Sequence, residues 1–348
     1  MKKSFVEYIW LDGAVPTQEL RSKSRVVAYE GDVKVSGLPD WGFDGSSTNQ
    51  AAGNNSDCEL KPISVIKDPL RGEGYYLALC EVYNADGTVH ATNHRAALAD
   101  IMANGGEGQD AYIGFEQEYT LFNKSGRPLG WPEGGYPAPQ GPFYCGVGSS
   151  NIFGREICDE HAKICEEAGL AFYGTNAEVM PGQWEFQIGY RAFGNEAADP
   201  LTISDHIWFA RFLLHRISEK YGVTVSFENK PIKGDWNGAG MHTNFSTKDM
   251  RNKSKGMGAI ESAVNNLSEN HKLHIENYGA GLAERLTGEH ETCSINEFRA
   301  GNSDRGASIR IPMATTRKGY GYIEDRRPGA NSDPYIISKL LMKTICKL

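Results

Sequence analysis

No run of this chain comes near the ~18 consecutive apolar residues of a membrane-spanning helix. Its start, MKKSFVEYIWLDG, has two lysines, but Glu7 and Asp12 break the apolar stretch. Neither a membrane partner nor a signal peptide is expected. Positive charge is not in excess. Lys and Arg number 36 against 44 Asp and Glu, a net charge of −8, which argues against a broad nucleic-acid surface. The seven cysteines (Cys58, Cys80, Cys145, Cys158, Cys165, Cys293 and Cys346) form no C-x-x-C pair and keep no regular spacing. They read as reduced, mostly packed thiols of a cytoplasmic protein, not as a disulfide or zinc framework. Also missing are G-x-x-x-x-G-K-[ST], a G-x-G-x-x-G between strand and helix, and a G-x-S-x-G elbow. These absences speak against a P-loop, a dinucleotide fold and a serine hydrolase.

What remains is a globular composition, 40% hydrophobic and 23% charged, long enough for one large and one small domain. The first segment reads as β: FVEYIWLDG, RSKSRVVAY, and YYLALCEVYNADGTVHATN as strand, turn and second strand. Between them PDWGFDGSSTNQAAGNNSDCELKP is a long polar, Gly-rich loop of the kind that is often functional. Thr92 or Asn93 caps a helix that Gly105 stops, and a domain boundary is placed there, giving residues 4–91 and 92–348. Further helices are expected over 155–168 (Ile157, His161, Ile164, Cys165 and Ala168 on one face), from a Ser204 cap to Gly222 (Ile207, Ala210, Leu214, Ile217 and Tyr221 inward), and from about Gly258 to Tyr278. Strands are expected at AYIGFEQEYTLF, TNAEVM, QWEFQIG, VTVSFENK and GMHTNFS. The stretch from His290 reads as loop until SIRIP.

The densest chemical signal is a set of carboxylates inside strand-like sequence: Glu116 and Glu118, Glu178 and Glu185, and Glu324, with His242 in WNGAGMHTNFS. Half-buried carboxylates are costly unless paired, and divalent cations are the usual partner of several that converge. Glu116 and Glu118 share a strand face about 7 Å apart. Glu178 and Glu185 differ by an odd number, so a Met180-Pro181-Gly182-Gln183 turn must bring them to one face, with Trp184, Phe186 and Ile188 filling the other. Singly, each is better read as a salt-bridged strand glutamate, and His242 as a core histidine. Together with the tight glycines Gly238 and Gly240 beside Asn237, they favour Mg or Mn over zinc. Arg285, Arg305, Arg310, Arg326 and Arg327 crowd the last quarter of the chain and suit phosphate or carboxylate oxygens. The residues alone lead to a metal-dependent enzyme acting on phosphate and carboxylate groups.

DGSST (44–48), GFEQEYTL (114–121), PQGPFYCGVG (139–148), GTNAEVMPGQWEFQIG (174–189), WNGAGMHTNFST (236–247), RLTGEHET (285–292), RGASIRIP (305–312) and EDRRPGAN (324–331) together resemble the type II, eukaryotic-type glutamine synthetase family. The resemblance spans nearly the whole chain in the family's order. It implies an α+β fold: a small N-terminal β-grasp domain and a larger catalytic domain of antiparallel sheet packed by helices. It implies ATP-driven joining of glutamate and ammonia through γ-glutamyl phosphate, and a homo-oligomer with sites between subunits, a decamer of two pentameric rings. At least two Mg2+ or Mn2+ ions per site are implied, one held by Glu118, Glu178 and Glu185, the other by Glu116, His242 and Glu324. By the same resemblance Arg305 and Arg310 meet ATP phosphates, and Arg285 and Arg326 meet glutamate carboxylate and phosphoryl oxygens. Asn237 and Gly238 contact glutamate, and Asn244, Ser246 and Tyr322 lie on the nucleotide side. Asp44 is the base for ammonium, with Ser47 and Tyr144 completing that pocket, and Glu291 is the flap carboxylate.

The chain departs from the family pattern in four places. It starts almost at its first strand, so no N-terminal extension is expected, and its tail is short. Met313 follows RIP where many relatives carry arginine, and the TTRKGYGY insert comes next. YRAFGNEAADP after QIG also differs.

Overall fold

The computed structural model describes residues 2–29, 31–189, 194 and 196–348. Most of the divergent YRAFGN segment therefore lies outside the described residues. The chain divides into two compact units, Met1–Asp100 with Ile164–Leu170, and Ile101–Lys163 with Ala171–Leu348.

The first unit is built on β1 (Lys2–Leu11), β2 (Leu20–Tyr29), β3 (Trp41–Asp44), β4 (Asp57–Lys67) and β5 (Tyr75–Asn84), in the order β2-β1-β5-β4-β3. β1 and β5 run parallel at its centre. Period-two spacing puts Val6, Tyr8 and Trp10 of β1 and Tyr76, Ala78, Cys80 and Val82 of β5 into one buried cluster. This is the expected β-grasp arrangement. The long polar loop holds more structure than its composition suggested, since β3 and the start of β4 lie inside it. The second strand expected after the Ala-Asp-Gly turn does not form. Only an isolated bridge joins Tyr83 to Val89, because the His90 ring turns back to the Gln50 carbonyl and the Thr92 hydroxyl.

α1 (His94–Ile101) is capped by Asn93, whose side chain accepts from the Ala96 amide at 3.1 Å, and its last turn ends through Gly105 at φ 123°. The second unit then forms an eight-stranded sheet from β6 (Tyr112–Phe122), β7 (Phe172–Ala177), β8 (Gln183–Gly189), β9 (Thr224–Ser226), β10 (Met241–Ser246), β11 (Ala300–Asn302), β12 (Ile309–Ile311) and β13 (Ile323–Asp325). Its main order is β11-β12-β13-β10-β6-β8-β7, with β9 beside β6. It is antiparallel except between β11 and β12. Ala-Gly-Asn carries no strand preference, so β11 has no signal in the sequence.

The helices are α2 (Arg155–Glu167), α3 (Pro200–Tyr221), α4 (Gly256–Glu269), α5 (His271–Ile275), α6 (Leu282–Arg285), α7 (Met313–Lys318) and α8 (Pro334–Cys346). The expected apolar face of α2 is buried throughout. α3 begins earlier than Ser204. Asp199 accepts from the Leu201 and Thr202 amides and Pro200 occupies the first turn, a stronger start signal than serine. Ser204 instead lies buried inside the helix, bonded to the Pro200 carbonyl at 2.7 Å. Ile207, Ala210, Leu214 and Ile217 point inward, but Tyr221 is 36% exposed and donates to Glu160. The helix expected over Gly258–Tyr278 is interrupted at Asn270, whose side chain donates to the Asn266 carbonyl and separates α4 from α5. The TTRKGYGY insert contributes the end of α7, closed by Gly319 at φ 75°.

Replacing the cap, Asp199→Ala should cost about 1 kcal/mol, read as a lower denaturation midpoint. A midpoint unchanged from the parent chain would return the helix start to Ser204.

Candidate active site

The sheet register assembles the site. Glu116 on β6 faces His242 on β10 and Gln187 on β8. Glu118 faces Glu185, which in turn faces Asn176 on β7. Across the other half, Asn244 pairs with Glu324, and Glu324 with Arg310. Residues directly opposite in a sheet share a face, as do residues two apart on one strand. These acidic, amide, imidazole and guanidinium groups therefore stand on one side. The alternate residues Phe115, Gln117, Tyr119, Trp184, Phe186 and Ile188 are buried on the other. Glu178 lies just past β7. The turn closes by Gln183 N–H to the Met180 carbonyl at 3.1 Å with Gly182 at φ 81°, and so returns Glu178 towards Glu185.

Each carboxylate has only partial compensation. Glu118 Oε2 accepts from the Gly240 amide at 2.7 Å, Glu116 Oε1 from Asn244 Nδ2 at 2.8 Å, and Glu185 Oε1 from Gln187 Nε2 at 2.7 Å. Burial pushes Glu118 up to about 7 against the opposing pull of Arg285. Burial, reinforced by Glu118, pushes Glu178 up to about 8. Glu185 is raised well above the usual range by burial and then by Glu116, Glu118 and Glu178. His242 is kept neutral by burial and by Arg326. Its Nε2 accepts from Arg285 Nη2 at 2.9 Å, while Nδ1 stands 3.7 Å from Glu116 Oε2 and 3.6 Å from Glu324 Oε1.

Glu324 is the best compensated, with Arg326 Nη1 at 2.5 Å on one oxygen and Arg310 on the other. Gly238 and Gly240 have a use the sequence did not reveal. A Cβ at Gly240 would lie 2.3 Å from Arg285 Nη2, and one at Gly238 would lie 2.8 Å from Arg285 Cγ. The glycines make room for Arg285, and Arg285 reaches His242.

A cavity of about 710 Å³ opens over this face. Of the residues singled out from sequence, Glu116, Glu118, Glu178, Glu185, His242, Asn237, Gly238, Arg285, Arg305, Arg310, Arg326, Tyr144 and Glu291 line it. Glu324 does not line it; fully buried, it is paired with Arg310 and Arg326. Asn244, Ser246 and Tyr322 are not among the lining residues. Asn244 holds Glu116, Ser246 accepts from Arg251, and the Tyr322 carbonyl accepts from Thr315. Arg327 points to the opposite side of β13, paired with Asp325 at 2.7 Å. Asp44 and Ser47 belong to the first unit, whereas every lining residue belongs to the second. There Asp44 caps a short 3-10 turn, Gly45–Thr48, and accepts from the Ser46 and Ser47 hydroxyls, each at 2.6 Å. These hydroxyls, with the Ser46 amide, lower its pKa.

Sequence reasoning gave no role to Gln140, Asn176, Gln187, His290 or Thr292, which also line the cavity. All five fall within the quoted motif blocks, but neutral amides, a hydroxyl and a loop histidine carry no charge pattern that would single them out.

Among the described residues, two sets of donor atoms lie close enough to share a cation: Glu116 with His242 and Glu324, and Glu118 with Glu185 and His242. Glu178 is outside both sets, yet it lines the same cavity. Oxygen-rich ligation with one imidazole fits Mg2+ or Mn2+. The raised carboxylates fit the same reading, because buried like charges call for a counter-ion. Asn244 Oδ1 and Arg326 Nε are buried beside the cluster without a partner.

Comparison with known proteins gives the following matches. A family model described as the glutamine synthetase catalytic domain matches residues 93–346, and one described as the glutamine synthetase β-grasp domain matches residues 2–85. The chain is 54% identical over 342 residues to a glutamine synthetase of Streptomyces viridochromogenes, covering 98% of this chain and 96% of the relative. It is 51% identical over 350 residues to a chloroplastic glutamine synthetase of Chlamydomonas reinhardtii, covering 98% and 90%. It is 47% identical over 340 residues to that of Saccharomyces cerevisiae, covering 98% and 88%.

The raised carboxylates set a pH dependence for the metal-free protein. Groups that bind protons more tightly folded than unfolded contribute stability that is fully present below their ordinary pKa of 4.5 and is lost as pH rises through about 7 to 8. Thermal midpoints in a chelator should therefore fall from about pH 5 to about pH 8, and added Mg2+ should raise them most at the alkaline end. A midpoint that rises with pH in chelator would contradict the uncompensated cluster.

Proposed function

Because the chain belongs to the glutamine synthetase family, and so is an ATP-dependent ligase that forms glutamine, we propose how its residues divide the work between phosphoryl transfer and amidation. The observation that carries this reading is one cavity lined by four arginines, together with two clusters of carboxylate and imidazole donor atoms spaced to share a cation. A carboxylate is a poor electrophile. In the first step the γ-carboxylate oxygen of glutamate attacks the γ-phosphorus of ATP, the bond to the bridging oxygen breaks, and ADP leaves. In the second, ammonia attacks the carbonyl carbon of the acyl phosphate, phosphate leaves and the nitrogen gives up a proton. Glu116, His242 and Glu324 would hold one divalent cation, and Glu118, Glu185 and the nearby Glu178 another. Mg2+ or Mn2+ there would offset charge on the phosphate oxygens and orient them.

The protein's own groups do the rest. Arg305 and Arg310 offer fixed positive charge to the ATP phosphates, and Arg326 to the transferring phosphoryl group. Arg285, held by the carbonyls of Arg326, Arg327 and Pro328, gives the glutamate end a rigid wall. Asn237 and the Gly238 backbone meet the amino-acid portion. Asn244 and Ser246 act from the sheet beneath the nucleotide, and Tyr322 from its flank. Glu291 closes over the acyl phosphate and shields it from water.

Asp44 takes the proton that ammonium must lose, with Ser47 and Tyr144 completing the pocket. Its lowered pKa keeps it ionised and attractive to a small cation. Its place in the first unit supports a site completed by a neighbouring copy, in a decamer of two pentameric rings. The family matches, ending at residue 85 and resuming at 93, support a division into residues 4–91 and 92–348. Seven cysteines without a disulfide support a cytoplasmic location, although one relative is chloroplastic.

Glu185→Ala should abolish glutamine formation while the oligomer keeps its size on a sizing column; retained turnover would remove Glu185 as a cation ligand. Asp44→Ala should leave glutamate-dependent ATP binding intact and lower amidation by roughly the 10²–10⁴-fold typical of a lost general base. Unchanged glutamine synthesis at neutral pH would rule Asp44 out.

A further inference from the structure

The loop that carries Glu291 leaves α6 and returns where the Ile295 amide meets the Leu286 carbonyl at 2.9 Å. Thr292 braces it internally, its hydroxyl donating to the Glu289 carbonyl at 2.7 Å. At its tip His290 and Glu291 are consecutive non-glycine residues with left-handed backbone, φ 51° and 58°. Such a pair is strained and persists only where contacts over-determine it.

The contacts run through Gln140. Its Oε1 accepts from the Asn237 amide at 2.7 Å, which fixes which end of the side-chain amide is oxygen. Its NH2 group must then donate to His290 Nδ1, 3.1 Å away. Nδ1 therefore carries no proton, and Nε2 donates to Asp235 at 3.1 Å. Gln140 is itself anchored, since the amide of the next residue, Gly141, meets the Val179 carbonyl beside Glu178. Asn237 is held from its other neighbour by Trp236, whose ring lies 4.7 Å from that of Trp131. Arg326 adds a weaker tie, 3.4 Å to the Glu291 carbonyl.

We propose that Gln140 and His290 are positioning residues for the amidation step: they couple the Glu291 loop to the 235–238 loop, so that closure over the acyl phosphate and the seating of glutamate happen together. This rests on the reading of Glu291 as the closing carboxylate. The step that the link guards against is attack by the oxygen of water on the carbonyl carbon of the acyl phosphate. The C–O bond to phosphate then breaks, phosphate leaves, a proton is released, and glutamate is regenerated in place of glutamine. The link acts through geometry, and neither residue needs to touch the reacting atoms.

The test measures phosphate released per glutamine formed by the full assembled enzyme, with KM for ammonium and for ATP. His290→Ala and Gln140→Ala should each raise that ratio several-fold above one and raise KM for ammonium, with KM for ATP within about twofold of the parent value. The double variant should be no worse than the worse single one. His290→Asn keeps an acceptor near the Nδ1 position and tolerates positive φ, so it should return the ratio to near one. A merely structural role would not be rescued in this way. Ratios of one with unchanged ammonium KM in both single variants, or additive losses in the double, would overturn the proposal. Hydrogen exchange separates it from the Glu291 reading. Faster exchange in residues 287–293 of both alanine variants supports the link even if Glu291→Ala itself stays coupled, an outcome that would remove only the role given to Glu291. Exchange unchanged in both variants would remove the link.

Discussion

Like charges buried side by side on one face of a sheet set the terms for everything else in this molecule. Glu118, Glu178 and Glu185 are raised first because burial withholds water from them, and then by neighbouring carboxylates: Glu116 at Glu118, Glu118 at Glu178, and Glu116, Glu118 and Glu178 at Glu185. Arg285 opposes this at Glu118, yet does not bring its pKa back to the ordinary range. Glu324 differs, with two guanidinium partners and no exposure. The half of the site around Glu118, Glu178 and Glu185 therefore has the greater need of an external cation. A surface that must bind positive charge at one end and presents Arg305 and Arg310 at the other suits a substrate bearing several phosphates beside an amino acid.

The cluster keeps its geometry because the far face of the same strands is equally committed. Asp325 and Arg327 alternate with Glu324 and Arg326 along the chain and so point away from the cavity. Burial works against the Asp325 charge, but Arg327 outweighs it and the carboxyl stays ionised. Tyr278 donates to Asp325 at 3.0 Å, and the His274 ring joins Tyr278 to Thr344 on α8. Behind β6, the buried Arg211 of α3 donates to Gln117 Oε1 at 2.9 Å and to the carbonyls of Ala330 and Ser332. Gln117 sits between Glu116 and Glu118, so that bond fixes the strand from which both carboxylates project. Polar groups bonded this fully behind a functional face specify one arrangement, where an apolar backing would tolerate several.

Glycine plays a comparable part at Gly238 and Gly240. These residues exchange side-chain volume for the guanidinium of Arg285, which then satisfies His242 Nε2 and leaves Nδ1 facing Glu116 and Glu324. The orientation of the imidazole ring is thus set by two missing Cβ atoms on a neighbouring loop. The Gln140 amide, oriented by one backbone N–H, does similar work for the loop above the cavity.

Composition, period and motif were enough to identify the strands that carry Glu116, Glu118, Glu185 and His242, the turn between Glu178 and Glu185, and the buried face opposite them. Those features depend on residues close together in the chain, where period two and turn chemistry act directly. They were also enough to suggest a cation, because carboxylates amid Tyr, Phe and Trp have few other uses. Local rules failed where tertiary contacts competed. Ser204 looked like a cap but Asp199-Pro200 was the better one, the segment after the Ala-Asp-Gly turn lost its strand to His90, and Ala300–Asn302 became a strand only because β12 lay beside it. Which guanidinium meets which carboxylate, why Arg327 turns away from the cavity, and how Gln140 finds His290 150 residues along the chain were decided only by the folded structure. Such pairings depend on the register between strands and the paths of loops, and both are set by contacts between residues that sequence order keeps far apart.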